Sequence, residues 1–181
     1  LKDFTKKIFS KRHIPKSLIS VLEKIPNETN PMDVLRTTCS FLGNIEPEKS
    51  FDNQIKCAER LLGILPSALN YWYHFSHSGK RILIENDSES IAGHFLSTLH
   101  GRKATETEEK VMNVSLILYA EHEFNASTFA ARVCAATLSD FYSCVTGAIG
   151  TLRGPLHGGA NEKAMELISR FQDEESAAKS I

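Results

Sequence analysis

Apolar residues recur every three to four positions along almost the whole chain, and no stretch alternates apolar with polar in the way a strand requires. That periodicity commits the chain to packed helices, and residues that start or stop helices punctuate it. Ile14-Pro15 opens a segment with Leu18, Ile19, Leu22 and Ile25 in register, closed by Pro26. Asn30-Pro31 is a cap and first-turn pair, followed by Val34, Leu35, Cys39 and Leu42 on one face and an expected stop at Gly43. From about Phe51, the residues Ile55, Ala58, Leu61, Leu62 and Leu65 stay in phase. Pro66 is expected to kink this helix, because proline removes a backbone donor and crowds the preceding turn. A loop at Ser78-Gly79-Lys80 precedes a helix from Ser90 to Leu99. Thr105 and Glu108 form a capping box for a helix through Val111, Val114, Leu118 and Tyr119. One long helix is expected from about Ser127 to Ala148. The last begins near His157-Gly158-Gly159 and runs through Met165, Leu167 and Ile168. The fold class is all-α.

Composition excludes several classes of function. With 21 Lys and Arg against 22 Asp and Glu, the formal charge is −1, so nothing global draws the chain to nucleic acid or an anionic membrane. A basic N-terminal face (Lys2, Lys6, Lys7, Lys11, Arg12, Lys16) reads as a solvated helix surface. The longest apolar stretch, around Val114 and Leu116 to Ala120, is far short of the ~20 residues a membrane span needs. Cys39, Cys57, Cys134 and Cys144 form no CxxC pair, and are expected to be reduced thiols in a cytoplasmic protein. His74 and His77 stand three apart, but no carboxylate has ligand spacing around them, and no metal is expected. Tyr71, Trp72, Tyr73 and Phe75 read as a packing cluster. Leu1-Lys2-Asp3-Phe4 has neither an initiating Met nor an apolar leader segment, so the chain is expected to start inside a longer product.

Two histidine-centred stretches carry the candidate chemistry. In Arg153-Gly154-Pro155-Leu156-His157-Gly158-Gly159-Ala160-Asn161-Glu162, proline fixes the entry and two glycines allow backbone to approach a ligand. His157 falls where a helix begins, beside unpaired N–H groups and a positive dipole end, which disfavours imidazolium. A neutral ring donating an N–H suits a carbonyl oxygen that becomes enolic. In Ala120-Glu121-His122-Glu123-Phe124-Asn125-Ala126-Ser127, His122 and Asn125 can bind an oxygen-rich substrate, and the Ser127 hydroxyl can fix the tautomer of a neighbouring histidine.

These two stretches resemble the citrate synthase family, in which HE-x-N-x-S and GP-x-HGGAN recur in this order. Pro31-Met32-Asp33-Val34 with Arg36-Thr37 is similar to the family's HPMDV-x-RT segment, with Asn30 in place of the usual histidine. Tyr71 to Gly79 and Ser90 to Leu96 look most like the 2-methylcitrate synthases within the family. The resemblance implies a condensation of propionyl-CoA with oxaloacetate, followed by thioester hydrolysis; acetyl-CoA is the alternative acyl donor. It assigns His157 to the thioester oxygen as the catalytic residue, His122 and Asn125 to substrate, and Ser127 to orienting His157. Arg12 aligns with a family arginine that faces substrate. The family's second catalytic histidine, its aspartate base and its substrate-clamping arginines fall C-terminal to these residues. The 181-residue piece alone is therefore expected to be inactive, and a helical fragment that only dimerises or binds ligand is the alternative outside catalysis. The resemblance further implies part of a large helical domain over 1–160, the start of a small domain over 161–181, a homodimer, no metal, and no cofactor, the acyl-CoA being a substrate.

Overall fold

A computed structural model describes residues 2–121 and 123–178; among these the chain is helical, with no strand. The elements are α1 (Lys2–Phe9), α2 (Lys16–Leu22), α3 (Pro31–Ile45), a 3-10 turn at Phe51–Asn53, α4 (Gln54–Ser78) and α5 (Ile91–His100). They continue with α6 (Glu106–Tyr119), α7 (Ala126–Ala136), α8 (Phe141–Leu152), α9 (Gly159–Ile168) and α10 (Glu174–Ala178).

The core forms where the periodic faces of α2, α3, α4 and α8 meet. Leu18 and Leu22, Val34, Cys39 and Leu42, Leu61, Ile64 and Ala68, and Tyr142 and Ile149 are buried together there. Helix α4 is the axis of the bundle, about 37 Å long at 1.5 Å per residue, and it continues through Pro66 as one element. It ends on Gly79 in the left-handed region (φ 69°), as the sequence predicts for that loop. Of the aromatic cluster, Tyr71 and Trp72 pack inward while Tyr73 is exposed: Trp72 Nε1 donates to Ile25 O at 3.2 Å and the Tyr71 hydroxyl to Glu23 at 2.7 Å, tying α4 to the end of α2.

Two expectations are corrected. Helix α3 does not stop at Gly43 but runs to Ile45. The glycine there serves packing: a Cβ on it would lie 2.9 Å from Cβ of Tyr142, so its absence lets α3 and α8 close on each other. The single helix expected over Ser127–Ala148 is two. Leu138 takes a left-handed backbone (φ 61°), and Asp140 then caps α8 by accepting from the Ser143 N–H at 3.0 Å. The buried Glu48 carboxylate completes that start by accepting from Phe141 N at 2.6 Å. Helices α6 and α7 bury no residue, and their apolar side chains Ile117, Leu118 and Phe129 are exposed.

Candidate active site

His157 lies in the turn that joins α8 to α9. Three backbone bonds shape that turn: His157 N to Gly154 O at 3.0 Å, Gly158 N to Leu152 O at 2.9 Å, and Gly159 N to Gly154 O at 3.2 Å. Gly158 is required by close approach, since a Cβ built on it would sit 2.3 Å from Leu152 O. Helix α9 then begins two residues after the histidine, where the sequence predicts it.

The opposite wall comes from the start of α7. Asn125 caps that helix, its Oδ1 accepting from Thr128 N at 2.9 Å. Ser127, in the first turn, faces His157 with two groups: its Oγ lies 3.0 Å from His157 Nε2, and its backbone N–H donates to the same nitrogen at 3.4 Å. The hydroxyl also lies 2.7 Å from Asn125 Oδ1, and its single proton serves one of these acceptors at a time. The backbone N–H has no such choice. A nitrogen that accepts it must carry a lone pair, which assigns the proton of a neutral ring to Nδ1.

His157 is half-buried on the wall of a cleft of about 790 Å³. Met32, Tyr119 and Leu152 line the cleft with apolar surface, while Asn125, Ser127 and His157 supply polar groups. Glu121, Glu123 and Glu162 place carboxylates on it, and Arg153 is the one cation among its described lining residues. Glu123 holds a left-handed backbone (φ 56°), and its N–H donates to the Glu121 carboxylate. This sharp reversal delivers the chain to the Asn125 cap.

The sequence-predicted residues are thus partly assembled. His157, Ser127 and Asn125 come together. His122 lies outside the described residues. Arg12 is not brought into the cleft: it is buried, and its guanidinium donates to Ser88 O at 2.6 Å, Ser90 O at 3.0 Å and Glu89 O at 3.2 Å. All three acceptors are backbone carbonyls of the segment entering α5, so Arg12 fastens that loop to the N-terminal helices. Met32, Asp33 and Arg153 belong to the cleft region but received no role from sequence. The family-like Pro31 to Thr37 wording and the Arg153 that opens the second motif were the available signals.

His74 and His94 have structural partners. His74 Nε2 faces Thr98 O and Leu99 O at 3.1 and 3.0 Å. His94 is buried between Ser67 Oγ (2.8 Å from Nε2) and Asn86 Nδ2 (2.9 Å from Nδ1), and burial, reinforced by the nearby Arg12 charge, pushes it down to about 4. Among the described residues no group of three or more His, Cys, Asp or Glu is disposed to hold a metal. No described helix is long and apolar enough to cross a membrane.

Comparison with known proteins gives the family and the fold. The family described as citrate synthase, C-terminal domain, matches residues 1–181. The chain is 61% identical over 171 residues to the 2-methylcitrate synthase of Shewanella oneidensis, covering 94% of this chain and 46% of that protein. It is 43% identical over 162 residues to the citrate synthase of Heyndrickxia coagulans, covering 88% of this chain and 43% of that one. A ternary complex of Thermoplasma acidophilum citrate synthase with carboxymethyl coenzyme A and oxaloacetate superposes with a TM-score of 0.84 at 31% identity, over 98% of this chain and 47% of that one. The chain spans about half the length of the relatives it matches.

Proposed function

Because the chain belongs to the citrate synthase family, we propose that it contributes the thioester-activating half of a 2-methylcitrate synthase, which joins propionyl-CoA to oxaloacetate and releases CoA by hydrolysis. One observation carries the reading. The Ser127 N–H directs a donor at Nε2 of His157, a residue on the cleft wall, and so assigns the proton of a neutral ring to Nδ1. As a carboxylate base supplied from outside these residues takes the α-proton of the acyl group, charge builds on the thioester oxygen, and a fixed neutral donor stabilises that charge without first losing its proton to water. The enolic carbon then attacks the ketone of oxaloacetate. Asn125 presents its Nδ2 to substrate while its Oδ1 remains engaged in capping, and His122 is the second substrate contact. The acyl-CoA is a substrate, so no resident cofactor or metal is invoked.

Acetyl-CoA is the competing donor, and the likeness to the Heyndrickxia coagulans citrate synthase favours keeping it in view. One methylene is worth only about 1–3 kcal/mol of discrimination in an apolar pocket. The test compares kcat/KM for propionyl-CoA and acetyl-CoA in the full gene product, with oxaloacetate saturating. A preference of about tenfold or more for propionyl-CoA is expected; a reversed preference makes the enzyme a citrate synthase, and no turnover with either leaves a helical binding or dimerisation module.

The exposed apolar faces of α6 and α7 support a homodimer, since Ile117, Leu118 and Phe129 otherwise face water. Helix α9 buries no residue and exposes Met165 and Ile168, which suits the start of a smaller domain after residue 160. A cytoplasmic location goes with the four free thiols.

A further inference from the structure

We propose that the first turn of α3 positions His157, with Asn30 and Asp33 acting as positioning residues through Glu162 and Arg153; this rests on the role of His157 given above. The observation is a pair of long-range tethers on either side of the histidine. Upstream, Arg153 Nε donates to Asp33 Oδ2 at 3.3 Å. Downstream, Asn30 Nδ2 donates to Glu162 Oε1 at 3.4 Å. Both anchors stand within one turn of α3, and Met32 between them lines the cleft that His157 faces. The two tethers therefore bracket the segment that holds the catalytic ring.

The anchors are themselves fixed. Asp33 is gripped on its other oxygen by Arg36, three residues along the same helix, at 3.0 Å. Asn30 caps α3, its Oδ1 accepting from Met32 N at 2.9 Å, so its amide is oriented with the NH2 group turned away from the helix. By contrast the bracketed segment has little apolar packing of its own. Leu156 at its tip is fully exposed, and α9 buries no residue. Beyond its internal backbone bonds, what seats the His157 turn is the Ser127 contact on one side and the α3 tethers on the other.

Half-exposed ion pairs contribute little to stability, yet small displacements of a catalytic group are costly to rate. The variants are therefore expected to separate the two. In the full gene product, Asp33→Asn and Arg153→Met should each lower kcat about 5- to 20-fold, with KM for oxaloacetate and acyl-CoA within about twofold and the melting temperature nearly unchanged. Arg153→Lys should recover most of the loss, and the double variant should be no slower than either single one. Asn30→Ser keeps a capping oxygen but removes the amide donor, so it tests the second tether if Asp33→Asn does not fold; a loss of about 2- to 5-fold in kcat is expected. Folded variants with kcat within twofold of the parent overturn the inference. So does a raised KM at unchanged kcat, which makes Arg153 a substrate contact. A parent enzyme that condenses neither acyl-CoA overturns the functional reading instead, before any variant is compared.

Discussion

Ser127 presents two groups to one ring nitrogen, and only the backbone N–H among them is obliged to donate. Ser127→Ala therefore keeps the tautomer but loosens the ring. A fall in kcat of about tenfold is expected, with Ser127→Thr close to the parent, measured by steady-state condensation assays. Gly158 is a stricter position, because a methyl group there meets Leu152 O at 2.3 Å. Gly158→Ala should displace the turn and lower the melting temperature together with kcat. At this scale the sequence was informative wherever a motif fixed both residue type and spacing: His157, Ser127 and Asn125 converge as those motifs require. It was uninformative where a charge could serve two purposes. Arg12 carries the same guanidinium whether it binds a carboxylate or, as here, three backbone carbonyls. Only the fold decides which acceptors surround it.

Helix existence was legible from periodicity, and several boundaries from capping chemistry. The Thr105–Glu108 box and the Asn30 cap both form as their residue types predict. The break between α7 and α8 was not read, because apolar residues continue in phase across it and a left-handed Leu138 has no sequence signature. Asp140 was the available signal. Asp140→Ala should cost about 1 kcal/mol in denaturant unfolding, since it removes the cap on Ser143 N. Gly43 shows the converse ambiguity. A glycine near an expected helix end resembles a stop, yet here it marks a helix–helix contact against Tyr142 that depends on a partner 99 positions away in sequence. Helices α7 and α8 matter beyond packing, since the start of one and the end of the other hold the two halves of the Ser127–His157 pair.

For the molecule as a whole, the buried His94 links α4, α5 and the loop before α5. Ser88 N donates to Asn86 Oδ1, Asn86 Nδ2 donates to His94 Nδ1, and His94 Nε2–H donates to Ser67 Oγ. Protonation puts a hydrogen on Nδ1 against the Asn86 amide and a charge beside Arg12. With a folded value near 4 against an ordinary 6.5, the unfolded chain binds the proton first. This contribution to stability is complete above about pH 6.5 and is lost as pH falls toward 4, by up to about 3 kcal/mol. Denaturant melts across that window should show acid destabilisation that His94→Gln blunts. The larger architecture was legible as all-α because a helical period leaves no other packing. The cleft was not, since it is formed by segments as far apart as Met32 and Glu162 whose meeting no local pattern records. The central claim is the proposal that an N–H of His157 stabilises an acyl thioester as it enolises. The most direct measurement is kcat for propionyl-CoA condensation by the His157→Ala variant of the full gene product, with its fold verified by circular dichroism. A loss of about 10²–10³-fold is predicted; a folded variant that condenses at the parent rate contradicts the account.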